Sequence, residues 1–100
     1  MTHRAIGDVK RLVVKLGSRV VLSDAFDGIV DEVARLTNSG VQVVIVSSGA
    51  VAMGMQCLAL GSRPSELSRV QALAAAGQAE LVARYNERLG RHGCRCAQVL

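Results

Sequence analysis

Apolar residues gather in two short runs, "RLVVKLG" at 11–17 and "VQVVIV" at 41–46, and the segment between them follows a different rhythm. Both runs are rich in β-branched residues, which predicts buried strands, and the second lacks apolar/polar alternation, which predicts cover on both of its faces. Between them Phe26, Ile29, Val30, Val33 and Leu36 recur at helical spacing, with Asp27, Asp31, Glu32 and Arg35 on the opposite side. That is the pattern of a helix with one apolar face. Ser23 or Asp24 can cap its first N–H groups, and "NSG" at 38–40 supplies a glycine for the left-handed residue that ends it. "SRVVLS" at 18–23 reads as a loop. Strand, helix and strand at this spacing predict a βαβ unit with parallel strands and a right-handed crossover.

The second run ends abruptly in Ser47-Ser48-Gly49-Ala50, and residues 49–58 read as a helix rich in small side chains. "LGSRPSE" breaks that helix, with Pro64 placed to open the next. From Glu66 to about Leu89 the pattern is helical again, in two pieces around Gly77. The patch "ALAAAGQAEL" at 72–81 serves either tight core packing or the close approach of another helix. "GRHGC" reads as a helix ending and "CRCAQVL" as the start of a third strand. Two or three strands fall short of the roughly five or six in an ordinary sheet, so residues 1–100 are expected to be a truncated N-terminal part of one domain.

Composition narrows the function classes. One hundred residues allow one modest core, and with Phe26 and Tyr85 the only aromatics it must be built from Val, Leu, Ala and Ile. No apolar run approaches the ~20 residues of a membrane span, and "MTHRAIGDVKR" lacks the apolar middle of a secretory signal, so a cytoplasmic location and no membrane partner are expected. The net charge of +4 forms no basic block and no stacking aromatics accompany it, which argues against nucleic acid and fits small anions. Cys57, Cys94 and Cys96 read as reduced thiols. His92, Cys94 and Cys96 are three potential zinc ligands, but no second pair completes a tetrahedral set, so no metal site is expected among them.

Lys15 stands inside an apolar strand, where an unpaired ammonium is strongly unfavourable. Either it reaches water or an acid from the strand's end, or it points at an anion bound beyond the carboxyl ends of the strands. Ser48-Gly49-Ala50 falls at the same edge, on a turn into a helix whose first N–H groups are unpaired and carry the positive end of its dipole. The alternative is a tight connection that binds nothing. "GAVAMGMQ" half matches a P-loop, but Met55 and Gln56 stand where Lys and Ser or Thr belong, and no G-x-G-x-x-G fingerprint occurs. Lys15 is therefore the candidate phosphate-handling cation.

"VVKLGS", "VQVVIVSSGAVAMG" and "QALAAAGQAELVARYNERLGRHGCRCAQVL" together resemble the amino acid kinase family from about residue 11 to 100. The Ala-Ala-Gly-Gln segment favours the branch whose acceptor is L-glutamate, in proline synthesis, over those acting on aspartate, acetylglutamate or uridylate. The resemblance implies an α/β fold, a three-layer αβα sandwich around a mostly parallel sheet, whose N-terminal portion holds the phosphoryl acceptor and whose later part holds ATP. It implies Mg2+ as cofactor, Lys15 as the catalytic lysine on the ATP phosphates with Gly17 and Ser18 beside it, and Ser48, Gly49 and Ala50 around the acceptor. Arg19 departs from the family's small hydroxyl residue and either adds a phosphate contact or packs outward. A homo-oligomer is the expected assembly. The competing reading is a non-catalytic α/β module that binds or senses an anion.

Overall fold

The computed structural model describes residues 10–99; the polar N-terminal stretch 1–9 and Leu100 lie outside them. Strand β1 (Arg11–Leu16) leads through a single turn of helix, α1 (Ser18–Val21), into α2 (Ala25–Asn38). Strand β2 (Gln42–Ser47), α3 (Ala50–Cys57) and the long α4 (Leu67–Gly90) follow. β1 and β2 pair in parallel, from Arg11 opposite Gln42 to Leu16 opposite Ser47, which is the expected βαβ unit. The "SRVVLS" segment differs from the loop expected of it. Val21 N–H donates to Gly17 O at 3.1 Å and Leu22 N–H to Ser18 O at 3.1 Å, because burying Val21 favours coiling over an extended path.

Both ends of α2 are built from the residues that mark them. Ser23 Oγ accepts from the Ala25 N–H at 3.2 Å, while Asp24 makes no side-chain cap. At the other end Gly40 takes φ +98°, its N–H donates to Thr37 O, and the Val41 N–H donates to Leu36 O at 3.0 Å. These two bonds satisfy carbonyls that the helix end leaves free, and a side chain at Gly40 would oppose the left-handed conformation they need.

The core lies on one face of the sheet. Val14, Leu16, Val43 and Ile45 meet Val21, Phe26, Val30, Val33, Met53, Leu81, Tyr85 and Leu89 from the four helices. The other face, expected to be covered, is bare among the described residues: Val13 is 59 %, Val44 55 % and Val46 48 % exposed. Burial alternates along both strands; in β1 two of the three exposed positions, Arg11 and Lys15, are charged, whereas in β2 the exposed Val44 and Val46 are as apolar as the inward Val43 and Ile45.

Three further expectations are corrected. α4 runs unbroken through Gly77, because Gly77 is where α3 lies against it: a Cβ there would collide with the Ala50 carbonyl and come within 2.6 Å of Gly54 N. Gly54 answers from α3, its position pressed against the backbone of Leu73. Close approach of another helix is thus the reading that holds for the Ala-rich patch. Pro64 precedes α4 by three residues and does not open it. Residues 94–99 form no strand; Cys94 and Cys96 pack on the core, and the Cys96 N–H donates to Asn86 Oδ1 at 2.7 Å where a strand would pair it with a neighbour.

Candidate functional site

Parallel pairing decides where the candidate residues meet. Lys15 lies opposite Val46 and Leu16 opposite Ser47, so β1 and β2 end at one edge, and the Ser48 N–H donates to Leu16 O at 2.9 Å across it. Lys15, Gly17, Ser18, Ser48, Gly49 and Ala50 all lie at this carboxyl edge. Lys15 belongs to the bare face with Val13 and Val46, so its exposed ammonium suffers no burial, and no carboxylate among the described residues pairs with it. Arg19 is exposed on α1.

The two loops touch. A Cβ on Gly49 would sit 3.1 Å from Ser18 Cβ and 3.2 Å from Ser18 Cα, so a glycine lets the second loop lie against the first. Gly49 also holds φ +100°, a left-handed conformation that side chains disfavour. It is the residue before α3, whose first helical hydrogen bond runs from the Met53 N–H to Gly49 O at 2.8 Å. No side chain caps this end. The amides of its first turn, and the dipole behind them, are available to a negatively charged guest.

Below the turn lies a contact that the pattern of the chain does not announce. Tyr85 on α4 is buried, its ring centroid 4.9 Å from that of Phe26 at 55°, and its hydroxyl donates to Ser47 Oγ at 3.0 Å. Burial raises its phenol pKa above the ordinary 10.0. The one signal in the sequence is a lone Tyr at an inward position of an apolar helix face, whose hydroxyl must find a partner when buried.

A second unannounced cluster joins α2 to α4. Arg88 grips Asp31 with two parallel hydrogen bonds and His92 Nε2 lies 2.8 Å from Asp31 Oδ1. These bonds, from Arg88 first and His92 second, hold the Asp31 carboxyl far below the usual carboxylate range. Asn38 Nδ2 donates to the His92 carbonyl and the Cys94 thiol reaches Asn38 Oδ1 at 3.3 Å, so Asn38 ties α2 to the segment after α4. Burial pushes the Cys96 thiol up.

No three His, Cys, Asp or Glu side chains among the described residues gather as a metal site. No carboxylate set for the Mg2+ implied by resemblance gathers among the described residues. A cleft of about 380 Å³ between the start of α2 and the second half of α4, lined by Asp24, Asp27, Arg84 and Arg88 among others, includes none of the residues at the strand edge. Among the described residues no helix is long and apolar enough to cross a membrane.

Curated proteins of known name resemble this chain across nearly its whole length. Glutamate 5-kinase of Streptomyces coelicolor is 42% identical over 105 aligned positions, covering 98% of this chain and 28% of that protein. Glutamate 5-kinase of Burkholderia thailandensis is 47% identical over 102 positions, and that of Burkholderia mallei 46% identical, each covering 95% of this chain and 27% of the relative. The chain thus spans about a quarter of the length of these curated relatives. Its α/β build with a parallel strand pair is compatible with the fold of the family whose model, the amino acid kinase family, matches residues 10–100. A family match across nearly every residue, with relatives 42% and 47% identical, leads to one conclusion: this chain belongs to the amino acid kinase family.

Proposed function

We propose that this chain is the acceptor-side, N-terminal segment of an enzyme that transfers the γ-phosphoryl group of ATP to the side-chain carboxylate of L-glutamate, the reaction named by its glutamate 5-kinase relatives. A carboxylate oxygen attacks the γ-phosphorus, the bond to the β,γ-bridging oxygen breaks, and glutamyl 5-phosphate and ADP result. Such transfer depends on positioning and charge stabilisation more than on covalent chemistry. Lys15 acts as the catalytic cation, neutralising charge on the transferred group, with Gly17 and Ser18 beside the phosphates. Ser48, Gly49 and Ala50 hold the acceptor in line through a hydroxyl and backbone amides.

The observation that carries the reading is the shared edge: Lys15 and the Ser48 turn leave adjacent parallel strands at one edge, with an exposed lysine on one and a helix's amide end on the other. In the complete enzyme, helices from outside these residues cover Val13, Val44 and Val46 and make the sandwich three-layered. The remaining part supplies the nucleotide pocket and the Mg2+ ligands. Proline biosynthesis, a cytoplasmic setting and a homo-oligomer go with this reading.

The test is glutamate-dependent ADP release by the full-length protein and its Lys15→Met variant. Loss of a stabilising group of this kind slows turnover on the order of 100-fold or more. That loss, with the fold retained by circular dichroism, is expected. Turnover within about twofold of the unsubstituted enzyme overturns the role of Lys15, and no glutamate-dependent turnover at all in that enzyme overturns the reaction.

A further inference from the structure

We infer that Tyr85 is a positioning residue for the acceptor turn, acting through Ser47 to set the orientation of the Ser48–Gly49 peptide. The inference rests on the reading of Ser48-Gly49-Ala50 as acceptor-binding. The Tyr85 hydroxyl donates to Ser47 Oγ at 3.0 Å, and Ser47 Oγ in turn lies 3.4 Å from the Ser48 carbonyl oxygen, toward which it donates. A hydroxyl carries one proton and can accept as it donates, so the two contacts form a relay from α4 to the turn. Peptide planarity does the rest. In a trans peptide the C=O and N–H point in opposite directions, so a Ser48 carbonyl drawn toward Ser47 turns the Gly49 N–H away from the core and toward the open edge.

The same helix holds the chain on the other side of the turn. Gly77, eight residues before Tyr85 on α4, lies against the Ala50 carbonyl and Gly54 N, and Ser18 at the start of α1 lies close to Gly49. The turn is thereby gripped before it by a hydrogen bond and after it by packing. Packing alone does not call for the phenol oxygen, since Phe would stack on Phe26 as well. What the hydroxyl adds is direction at Ser47. Because burial keeps the phenol protonated, it remains a donor across the neutral and mildly alkaline range.

The experiment uses the full-length protein with Tyr85→Phe, Ser47→Ala, the double variant and Ser47→Thr, which retains a hydroxyl. Two quantities are read: backbone order parameters at Ser48 and Gly49, and KM for glutamate beside KM for ATP. A neutral hydrogen bond predicts a rise of about fivefold to tenfold in KM for glutamate in Tyr85→Phe, with KM for ATP and Tm little changed. Order parameters at 48 and 49 fall toward the ~0.6 of a flexible backbone. Ser47→Ala reproduces both effects, the double variant adds nothing further, and Ser47→Thr restores them. Unchanged order parameters overturn the inference, as does a KM for glutamate within about twofold of the parent or effects that multiply in the double variant. If the unsubstituted enzyme turns over no glutamate, the acceptor reading falls, and the order parameters alone then decide whether Tyr85 sets the turn.

Discussion

Arg88 on α4 holds Asp31 on α2 through two parallel hydrogen bonds, Nε to Oδ1 at 2.8 Å and Nη2 to Oδ2 at 2.7 Å, across 57 residues of chain. A planar guanidinium matched to a carboxylate in this way fixes angle as well as distance. Tyr85 stands about one helical turn before Arg88, so the grip on Asp31 also keeps the Tyr85 hydroxyl over Ser47.

Asp31 makes stability depend on acid. Its carboxyl is held well below the ordinary 3.8, by Arg88 first and His92 second, so the folded state binds its proton less readily than the unfolded chain does. The resulting stabilisation is fully present above about pH 4 and is lost as pH falls from there through the folded value. Asp31→Asn should lower Tm at pH 7, and its difference from the parent should shrink below pH 4. Thermal melts between pH 7 and pH 2 check this; a constant difference across the range would refute it.

Gly77 and Gly28 both lie inside helices, yet Ala should act in opposite directions at the two. At Gly77 a Cβ would collide with the Ala50 carbonyl, whereas at Gly28 it meets nothing within 4 Å. Gly77→Ala should destabilise by about 2 kcal/mol or more, because overpacking against backbone outweighs the roughly 1 kcal/mol gain in helix propensity. Gly28→Ala should stabilise by about 0.5–1 kcal/mol. Urea unfolding of both variants tests the pair.

Gly49→Ala meets two penalties at once, a φ of +100° and Ser18 Cβ at 3.1 Å. Its expected cost is about 1–3 kcal/mol of stability. On the proposed function, Gly49→Ala in the full-length protein should also raise KM for glutamate more than KM for ATP, since the strain falls on the turn assigned to the acceptor. Steady-state kinetics with each substrate varied in turn provides the check.

Residues 1–100 alone should release no ADP in a glutamate-dependent manner. The residues proposed to hold the acceptor share one edge, but no carboxylate set for Mg2+ accompanies them among the described residues, and the chain covers 27–28% of its curated relatives. A coupled ADP assay on the purified chain decides it, and turnover would place the nucleotide site within these residues.

Much of the framework was legible in the residues themselves. The strand runs, the Phe26 to Leu36 stripe and the glycine at 40 predict β1, α2, β2 and the cap between them, because helix periodicity and a left-handed glycine are properties of a few consecutive residues. That Lys15 and the Ser48 turn lie at one edge could likewise be read in advance, because parallel strands bring their carboxyl ends together. Three-dimensional packing decided the rest. It kept α4 continuous through Gly77 by laying α3 on that glycine, coiled residues 18–21 around a buried Val21, and left 94–99 unpaired. Among the described residues it also left Val13, Val44 and Val46 bare on one face of the sheet. Tyr85 with Ser47, and Asp31 with Arg88 and His92, meet only once the helices dock, so no local pattern could announce them: such contacts depend on which segments become neighbours, a quantity that single positions do not carry.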